Sequence, residues 1–357
     1  MSALEDFRLD AAVQPLLDWY QLNKRNLPWR LDTDPYHIWV SEIMLQQTRV
    51  EAVKPYYERF LEKLPDVHAL SECPQEKLLK LWEGLGYYNR VRNMQKAAKI
   101  LESEYHGLFP ADYEAIRALP GIGSYTAGAI ASIAFSIPVP AVDGNVLRIL
   151  MRLTNDDSDI AKQSVKTRAE AALMPVMPPE KPGEFNQALM ELGAEVCLPN
   201  GSPRCPDCPW RSFCLARQNG RETLLPIRKK ARPRRIEERT ILLICGGSSV
   251  VINRRKMTGL LAGLYEFPGV SGYLSEEETL EHVKSLGLTP LHIRRLPDAV
   301  HIFSHVEWHM RGYQIRVDDL TKEDSGLLFV EMEEARKTYA IPAAFAVYKK
   351  VLTGDIK

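Results

Sequence analysis

The sequence lacks the features of a membrane protein or of a strongly charged one. Its 357 residues contain no uninterrupted run of eighteen apolar residues, and the start, MSALEDFRLDAAVQ, is acidic and unlike a signal peptide. The 46 Lys and Arg residues balance 46 Asp and Glu residues, so the chain has no formal net charge. This neutrality argues against DNA binding by gross electrostatic attraction, so any DNA contact must come from local patches and backbone amides.

Cysteine is also scarce, and most of it is concentrated in one short segment. Four of the six cysteines follow the order Cys197-x7-Cys205-x2-Cys208-x5-Cys214. In a cytosolic, reduced chain such crowding indicates that the thiolates hold a metal centre. Zinc loops usually carry two tight pairs, whereas only Cys205 and Cys208 form one here. The pattern therefore favours a 4Fe–4S cluster over zinc, with disulfides or free thiols as the remaining alternatives.

The length of the chain and a change of hydrophobic period indicate two domains. Up to about residue 220, apolar residues recur at helical spacing. The clearest helical windows are Pro55–Leu64, Gln75–Leu85, Arg90–Tyr105, Asp112–Leu119, Tyr125–Phe135 and Val165–Met174. Residues 221–235 carry seven Lys or Arg and one Asp or Glu, and proline interrupts them, so they are predicted to form a basic linker. We predict a helical domain over 1–220 with a cysteine loop at 197–214, followed by this linker and a second domain over 236–357.

The second domain has the two-residue period of β-strands. RTILLICGGSSVVINRR (239–255) predicts two strands around a Gly-Gly-Ser-Ser turn, and VHIFSHVEWHMRGYQIRV (300–317) alternates again. Helical windows occur at 276–286 and 331–337. These patterns predict a small α+β domain.

The segment LPGIGSYTAGAIASIAF (119–135) predicts a tight reversal between two helices. Gly121 and Gly123 permit tight backbone conformations and the close approach of a ligand, and a helix of small residues begins near Ser124. The free N–H groups at the start of that helix can hold a DNA phosphate without net positive charge, as a helix-hairpin-helix does. A plain helical corner is the alternative, but proline, two glycines and a small-residue helix together favour the phosphate site.

An aspartate follows the hairpin by about twenty residues, in PAVDGNVLRIL (140–150). The simplest role of Asp143 is to cap the helix that contains Val146–Leu150. A second role is compatible with the first, because a capped carboxylate is held ionised beside the hairpin groove. There it could stabilise a cation, for instance an oxocarbenium ion.

Together these motifs resemble the helix-hairpin-helix DNA glycosylases that carry a C-terminal iron–sulfur loop. The hairpin, the downstream aspartate and the cysteine loop occur in the order which that superfamily shows. The first cysteine gap is seven residues here, where the family usually has six, and the Pro199-Asn200-Gly201 turn could absorb the extra residue. The resemblance implies a 4Fe–4S cluster held by Cys197, Cys205, Cys208 and Cys214.

Two further segments distinguish the branches of this superfamily. The endonuclease III branch carries a lysine two residues after the second hairpin glycine, and its amine forms a Schiff base that leads to strand cleavage. This chain has Tyr125 at that position, which implies a monofunctional glycosylase. NLPWR (26–30) and DPYHIWVSEIMLQQTRV (34–50) closely resemble the adenine glycosylases of the MutY family.

That resemblance implies that Glu42 is the general acid that protonates the adenine ring. A lone glutamate among apolar neighbours on a helix is ordinarily solvated, but here the surrounding segment matches the family. To act near neutral pH, Glu42 needs a pKa raised by burial from about 4.3 to about 6–7. Asp143 is expected to stay ionised in a more polar setting, so the two carboxylates have separate roles.

The same resemblance implies roles for residues around the opened base stack. The residues expected to enter it are Gln46, Gln47 and Thr48. Tyr87 in LWEGLGYYNRVRN (81–93) would be a wedge on the side of the oxidised base, although Tyr87 and Tyr88 could also be ordinary core aromatics. The residues expected to line the adenine pocket are Trp29, Arg30, Leu45 and Gln187, where some members have Glu in place of Gln187. Tyr125 and Asn145 are expected near the sugar.

The second domain contains GLLAGLYEFPG (259–269), which resembles the start of a Nudix box. A working box continues with an Arg-Glu pair and a Glu-Glu pair that hold magnesium. In residues 270–288 the acidic residues cluster early and no Arg-Glu pair appears, so phosphohydrolase activity is not expected. In the MutY family this domain recognises 8-oxoguanine. Phe303-Ser304-His305 matches the family's recognition turn.

The sequence therefore predicts a mostly α-helical helix-hairpin-helix glycosylase domain with an iron–sulfur loop, followed by a small α+β Nudix-like domain. The expected activity is removal of adenine paired with 8-oxoguanine, or with guanine, from double-stranded DNA by a cytoplasmic, nucleoid-associated monomer without membrane contact. The alternatives are a bifunctional glycosylase/lyase for oxidised pyrimidines, a non-enzymatic iron–sulfur DNA-binding protein and a Nudix phosphohydrolase.

Overall fold

The computed structural model describes Leu4 and residues 7–229, 233–318 and 327–353. The chain forms two compact units, one of Met1–Glu72 with Arg92–Lys230 and one of Cys73–Val91 with Ala231–Lys357. The predicted boundaries did not anticipate that the short segment Cys73–Val91 groups with the C-terminal half of the chain. Residues 230–232 of the predicted linker lie outside the described residues.

The N-terminal two thirds of the chain is helical, as its hydrophobic period predicts. In chain order the helices are α1 (Asp10–Asn23), α2 (Pro35–Leu45), α3 (Val50–Lys63), α4 (Val67–Glu72), α5 (Gln75–Leu81), α6 (Asn89–Tyr105), α7 (Tyr113–Ala118), α8 (Ser124–Phe135), α9 (Gly144–Thr154), α10 (Gln163–Leu173), α11 (Pro182–Glu195) and α12 (Leu215–Gln218). All six predicted windows lie on helices. Helix α5 ends at Leu81, earlier than predicted, and the chain then turns through Gly84 and Gly86, which have positive φ.

Aspartate side chains fix where three of these helices begin. The Asp34 carboxylate accepts a hydrogen bond of 2.7 Å from the Tyr36 amide at the start of α2. Asp112 accepts one of 2.8 Å from the Ala115 amide at the start of α7. Asp143 caps α9 in the same way, and each cap satisfies an amide that the helix itself leaves without a partner.

Helices α8 and α9 are buried elements of the first unit. In α9 every residue from Val146 to Thr154 is buried, including Arg148 and Arg152. In α8 the small residues allow close approach, since a Cβ at Gly128 would lie 2.5 Å from the carbonyl oxygen of Pro140. These packed helices fix the backbone from which Tyr125 and Asp143 project.

The second unit is built around a seven-stranded sheet. Its strands are β1 (Arg235–Gly246), β2 (Ser249–Arg254), β3 (Tyr265–Glu266), β4 (Gly269–Ser271), β5 (Pro290–Ile302), β6 (Val306–Val317) and β7 (Leu328–Glu331). The order is β3-β2-β1-β6-β5, with β4 paired to β1 and β7 to β2. Strands β1 and β6 run parallel, and the other pairs are antiparallel. The helices that follow residue 255 are α13 (Glu276–Ser285), α14 (Met332–Lys337) and α15 (Ala346–Lys349).

Both faces of this sheet are covered. On β1, Ile241 and Leu243 pack into a core with Phe345 and Tyr348, whereas Leu242 and Ile244 point to the opposite face with Val283 of α13. Alternation of side chains along the strand produces this division. The result is an α+β domain with two apolar layers.

The first part of the predicted linker is anchored to the first unit, although most of the described linker residues are exposed. Leu225 is buried, and its carbonyl oxygen accepts a hydrogen bond of 2.8 Å from Nε of Arg152. Arg221 donates to the side chain of Asn155. Residues 221–227 therefore belong to the first unit. Among the described residues, no helix is both long enough and apolar enough to span a bilayer.

Candidate active site and DNA-binding elements

A cavity of about 1100 Å³ opens in the first unit between the start of the chain and helices α2, α8, α9 and α11. Its lining includes the predicted residues Trp29, Arg30, Glu42, Leu45, Gln46, Gln47, Thr48, Tyr125, Asp143, Asn145 and Gln187. The fold thus brings together side chains from five separate parts of the sequence. The volume is sufficient for a ligand of nucleotide size.

Glu42 lies in the middle of α2 and is only 6% exposed. One carboxylate oxygen, Oε2, accepts a hydrogen bond of 2.6 Å from the Tyr125 hydroxyl. Burial raises the pKa of Glu42 to about 7, and the negative charge of Asp143 acts in the same direction. The Tyr125 hydrogen bond and the charge of Arg30 oppose this shift. A proton on Glu42 is therefore available near neutral pH.

Tyr125 lies in the first turn of α8, two residues after Gly123. Besides its bond to Glu42, its hydroxyl lies 3.4 Å from Sδ of Met190. Burial and the two nearby carboxylates raise the pKa of Tyr125 well above its ordinary value. Tyr125 is therefore a neutral donor at the position where the endonuclease III branch has an amine.

Asp143 caps α9 and faces the same cavity. Its Oδ1 accepts from the Val146 amide and its Oδ2 from the Asn145 side chain, both at 2.8 Å. Burial nevertheless raises the pKa of Asp143, whereas these donors and Arg148 lower it. The two carboxylates differ in exposure and in donors, because Glu42 is buried with one hydrogen bond whereas Asp143 is partly exposed and accepts two. This difference has the direction of the more polar setting that we expected for Asp143.

The remaining predicted pocket residues form its walls. Trp29 is buried and packs edge-on against Tyr57, with ring centroids 5.5 Å apart. Gln187 accepts a hydrogen bond of 3.0 Å from the Tyr20 hydroxyl. Tyr20 therefore fixes the orientation of the Gln187 amide, whose NH₂ group remains as the donor end.

Sequence reasoning missed a second buried glutamate of the cavity. Glu191 on α11 lines the cavity and is 1% exposed, and it contacts both Arg25 and Arg30. Burial by itself would raise the pKa of Glu191, but hydrogen bonds from the two arginines outweigh it and lower the pKa to about 2. No local motif marks this residue, because its partners are about 160 positions away in the chain.

Two family models match the chain. The model of the HhH-GPD superfamily of base excision DNA repair proteins matches residues 40–175, and a NUDIX domain model matches residues 239–350. The adenine DNA glycosylase of Rattus norvegicus is 34% identical over 408 residues, which cover 96% of this chain and 78% of that protein. The chain belongs to the adenine DNA glycosylase family.

Relatives and solved structures agree with this assignment. The adenine DNA glycosylase of Buchnera aphidicola subsp. Baizongia pistaciae is 33% identical over 86% of this chain and 87% of its own length. A trapped endonuclease III–DNA covalent intermediate is 27% identical, with a TM-score of 0.50, over 59% of this chain and 98% of the solved chain. The predicted fold class is confirmed, and the protein is a DNA glycosylase of base excision repair.

In this glycosylase the chain leaves α2 through Gln46, Gln47 and Thr48 at the rim of the cavity. Gln47 is exposed and has φ of 59°, a left-handed conformation that is rare outside glycine. Strained backbone of this kind persists where the surrounding fold imposes it, and it is concentrated at functional sites.

The two hairpin glycines differ: Gly121 has a left-handed backbone conformation, and Gly123 has open space where a side chain would lie. Gly121 has φ of 78°, and a Cβ there would lie 2.7 Å from Cβ of Asn93. Gly123 is extended, caps α8 without a side chain and has open space around its Cα. The Ser124 hydroxyl donates to Glu170 at 2.8 Å, so the main chain rather than this hydroxyl offers donors for a phosphate.

Tyr87 projects from a second tight turn in the segment Cys73–Val91. It is 51% exposed with φ of 47°, whereas Tyr88 is buried. Tyr88 is therefore an ordinary core aromatic, and Tyr87 is not. Arg90 lies over the rings of Tyr87 and Trp82, at 5.5 and 5.4 Å from their centroids, and donates to the carbonyl of Leu85. Arg90 therefore supports this turn, and about half of the Tyr87 surface remains exposed.

The turn Phe303-Ser304-His305 joins β5 to β6 in the second unit. The Phe303 ring packs between His301 and Trp308, with centroids 4.6 and 4.9 Å away. Ser304 and His305 are exposed, and the Ser304 hydroxyl lies 3.3 Å from Nδ1 of His305. The turn thus presents two polar side chains on an aromatic base.

The four clustered cysteines lie beside α9 as free, partly buried thiols. Burial and the neighbouring thiols raise the pKa of Cys208 to about 12, so four thiolates need a compensating positive centre. Arg152 donates to Sγ of Cys197 at 3.2 Å and Arg148 to its carbonyl oxygen at 2.8 Å. Among the described residues, no three Cys, His, Asp or Glu side chains are arranged around a single ion. Four cysteine sulfurs are a donor set that holds an iron–sulfur cluster, and structural zinc also takes four cysteines.

Proposed function

We propose that this glycosylase excises adenine paired with 8-oxoguanine, and with guanine, and that it leaves an intact abasic strand. The names of its relatives support adenine as the base. The observation that carries the mechanism is the buried carboxyl of Glu42, which keeps a proton near neutral pH beside a neutral tyrosine and a second carboxylate.

In the proposed reaction the adenine leaves the base stack and enters the cavity, which costs a few kcal/mol and less for a mispair. Glu42 transfers its proton to N7 of adenine, and the electrons of the glycosidic bond move to the departing base. The positive charge that develops on the sugar is stabilised by the carboxylate of Asp143. Glu42, now ionised, takes a proton from water, whose oxygen bonds to C1′. The products are free adenine and an abasic site, and Glu42 regains its proton.

Asn145 and Tyr125 support these two carboxylates. Asn145 donates to Oδ2 of Asp143 and orients it, and Arg148 in turn holds the Asn145 oxygen at 2.9 Å. Tyr125 donates to Glu42 and offers no amine for a Schiff base, which favours a monofunctional enzyme over a lyase.

The proposal assigns DNA contacts to the surrounding elements. Gln46, Gln47 and Thr48 enter the opened stack from the cavity rim, and Tyr87 is a wedge on the side of the opposite base. The backbone amides at Gly121, Gly123 and Ser124 hold a phosphate. Phe303, Ser304 and His305 recognise 8-oxoguanine through the two exposed polar side chains of their turn.

We assign a 4Fe–4S cluster to Cys197, Cys205, Cys208 and Cys214. When bound, it would cross-link the loop through four thiolates. The chain's own contribution is to compensate negative charge with the buried guanidinium groups of Arg148 and Arg152.

Single-turnover release of adenine tests the proposal with duplexes carrying adenine opposite 8-oxoguanine, guanine or thymine. We expect fast release opposite 8-oxoguanine, slower release opposite guanine, strand breaks only after alkali and no borohydride-trapped adduct. Glu42→Gln should reduce the rate by a factor of roughly 10²–10⁴, the usual contribution of a general acid. Breaks without alkali would indicate a lyase, and tight binding without release would indicate a binding protein.

A further inference from the structure

Glu191 is a buried carboxylate in the cavity that the proposed chemistry does not use. It lies on α11 one helical turn after Gln187, and its side chain is 1% exposed. A buried charge is expensive unless it is fully paired, so its presence beside the reaction site requires an explanation.

The two arginines that contact Glu191 saturate it. Its Oε1 accepts from the backbone amide and Nε of Arg25 at 3.0 and 2.7 Å. Its Oε2 accepts from Nη2 of Arg25 at 3.0 Å and from Nη2 of Arg30 at 2.8 Å. Arg30 is also tied through Nη1 to the carbonyl of Arg25 at 3.1 Å. One carboxylate therefore fixes two guanidinium groups on the same wall.

The same cavity holds the carboxyl of Glu42, whose proton is sensitive to the charge of Arg30. The charged or titratable groups that act on Glu42 are Tyr125 from α8, Asp143 from α9 and Arg30 from the turn Pro28–Arg30. Only Arg30 is a cation, and it lowers the pKa of Glu42 even while it is bound to Glu191.

Without Glu191, Arg25 would keep its ion pair with Glu195 at 2.7 Å, whereas Arg30 would have few other carboxylate partners in the cavity. Besides Glu191, the carboxylates lining it are Asp32, Glu42 and Asp143. Asp32 is exposed and already pairs with His37 at 2.9 Å, and Asp143 already accepts two hydrogen bonds. Glu42 accepts one hydrogen bond that the described contacts give it, from Tyr125.

We infer that Glu191 is a positioning residue that holds Arg30 away from Glu42, and so prevents an ion pair that would remove the catalytic proton. The inference rests on the proposed role of Glu42 as the general acid. Glu191 touches neither the base nor the sugar in this scheme. It acts through Arg30.

The pH dependence of single-turnover adenine release distinguishes this role from a merely structural one. The wild-type rate should fall as pH rises through the pKa of Glu42. In Glu191→Gln the fall should begin about one pH unit lower, so that the rate loss at about pH 8 is roughly fivefold larger than the loss at about pH 6. An equal loss at every pH would overturn the inference.

Two further variants sharpen the result. In Glu191→Gln/Arg30→Met the freed cation is absent, so the midpoint of the pH profile should return towards the wild-type value even though the maximal rate is lower. Glu191→Asp keeps the charge with a shorter reach and should give a smaller downward shift. If Glu191→Gln does not fold, an unchanged midpoint in Glu191→Asp contradicts the inference. Failure of the proposed function has a different signature, since Glu42→Gln would then remain active.

Discussion

Two buried glutamates line one cavity, and they are held in opposite protonation states. Glu42 and Glu191 are each less than a tenth exposed and each lie on a helix. The pKa of Glu42 is raised to about 7, whereas that of Glu191 is lowered to about 2. Burial is similar for both, so the donors decide the outcome: one tyrosine hydroxyl for Glu42, two guanidinium groups for Glu191. The cavity thus keeps a transferable proton on Glu42 and a fixed ion pair between Glu191 and its two arginines.

The largest expected effect separates the charge of Asp143 from its helix-capping role. Asparagine caps helices as well as aspartate does, so Asp143→Asn should retain α9 but lose the negative charge beside the sugar. We expect the single-turnover rate to fall by a factor of roughly 10²–10³. Asp112→Asn is the matched control, because Asp112 is an exposed cap of α7 with the same 2.8 Å bond. Equal activity of Asp143→Asn and the wild type would remove Asp143 from the mechanism.

The second effect is the influence of the buried Glu42 carboxyl on the free energy of unfolding. The folded-state pKa of Glu42 is raised from 4.5 to about 7, so its stability contribution is fully present below about pH 4.5 and is lost as pH rises through about 7. Glu42→Gln removes this loss. At about pH 8 the variant should be more stable than the wild type by on the order of 3 kcal/mol, and at about pH 4.5 the gain should vanish.

Thermal denaturation at the two pH values measures this difference. Glu58→Gln is the control, since Glu58 is exposed on α3 and should give the same small effect at both pH values. A gain for Glu42→Gln that does not depend on pH would contradict the assigned pKa.

Comparing Glu42 with Glu191 also shows how much of the site could be predicted from the sequence. The hairpin, the Asp143 cap and the helix of Glu42 are local patterns, and all three occur where their residues predict them. Glu191 has no such pattern, because its bond to Arg25 joins residues 166 positions apart and exists only after α11 packs in place.

The third effect reverses the one expected for Glu191→Gln. The Tyr125 hydroxyl donates to ionised Glu42 and so lowers its pKa, and Tyr125→Phe removes that donor. The alkaline fall of the rate should therefore move up by about one pH unit, even though the maximal rate declines. Tyr113→Phe on α7 is the control, and its pH profile should match the wild type. A downward shift in Tyr125→Phe would mean that the hydroxyl does not favour the carboxylate.

The smallest effect tests the strained rim at the mouth of the cavity. Gln47 has φ of 59°, whereas its neighbour Gln46 has φ of −58°. A left-handed conformation costs a non-glycine residue about 1–2 kcal/mol, and glycine costs a protein about 0.5–1 kcal/mol elsewhere.

Gln47→Gly should therefore leave the melting temperature unchanged or slightly raised, whereas the matched Gln46→Gly should lower it. Adenine release should fall in Gln47→Gly if the side chain enters the opened base stack. The backbone strain at Gln47 would then be the cost of holding its side chain at the rim of the cavity. A Gln47→Gly variant that is destabilised as much as Gln46→Gly would show that the rim stores no strain.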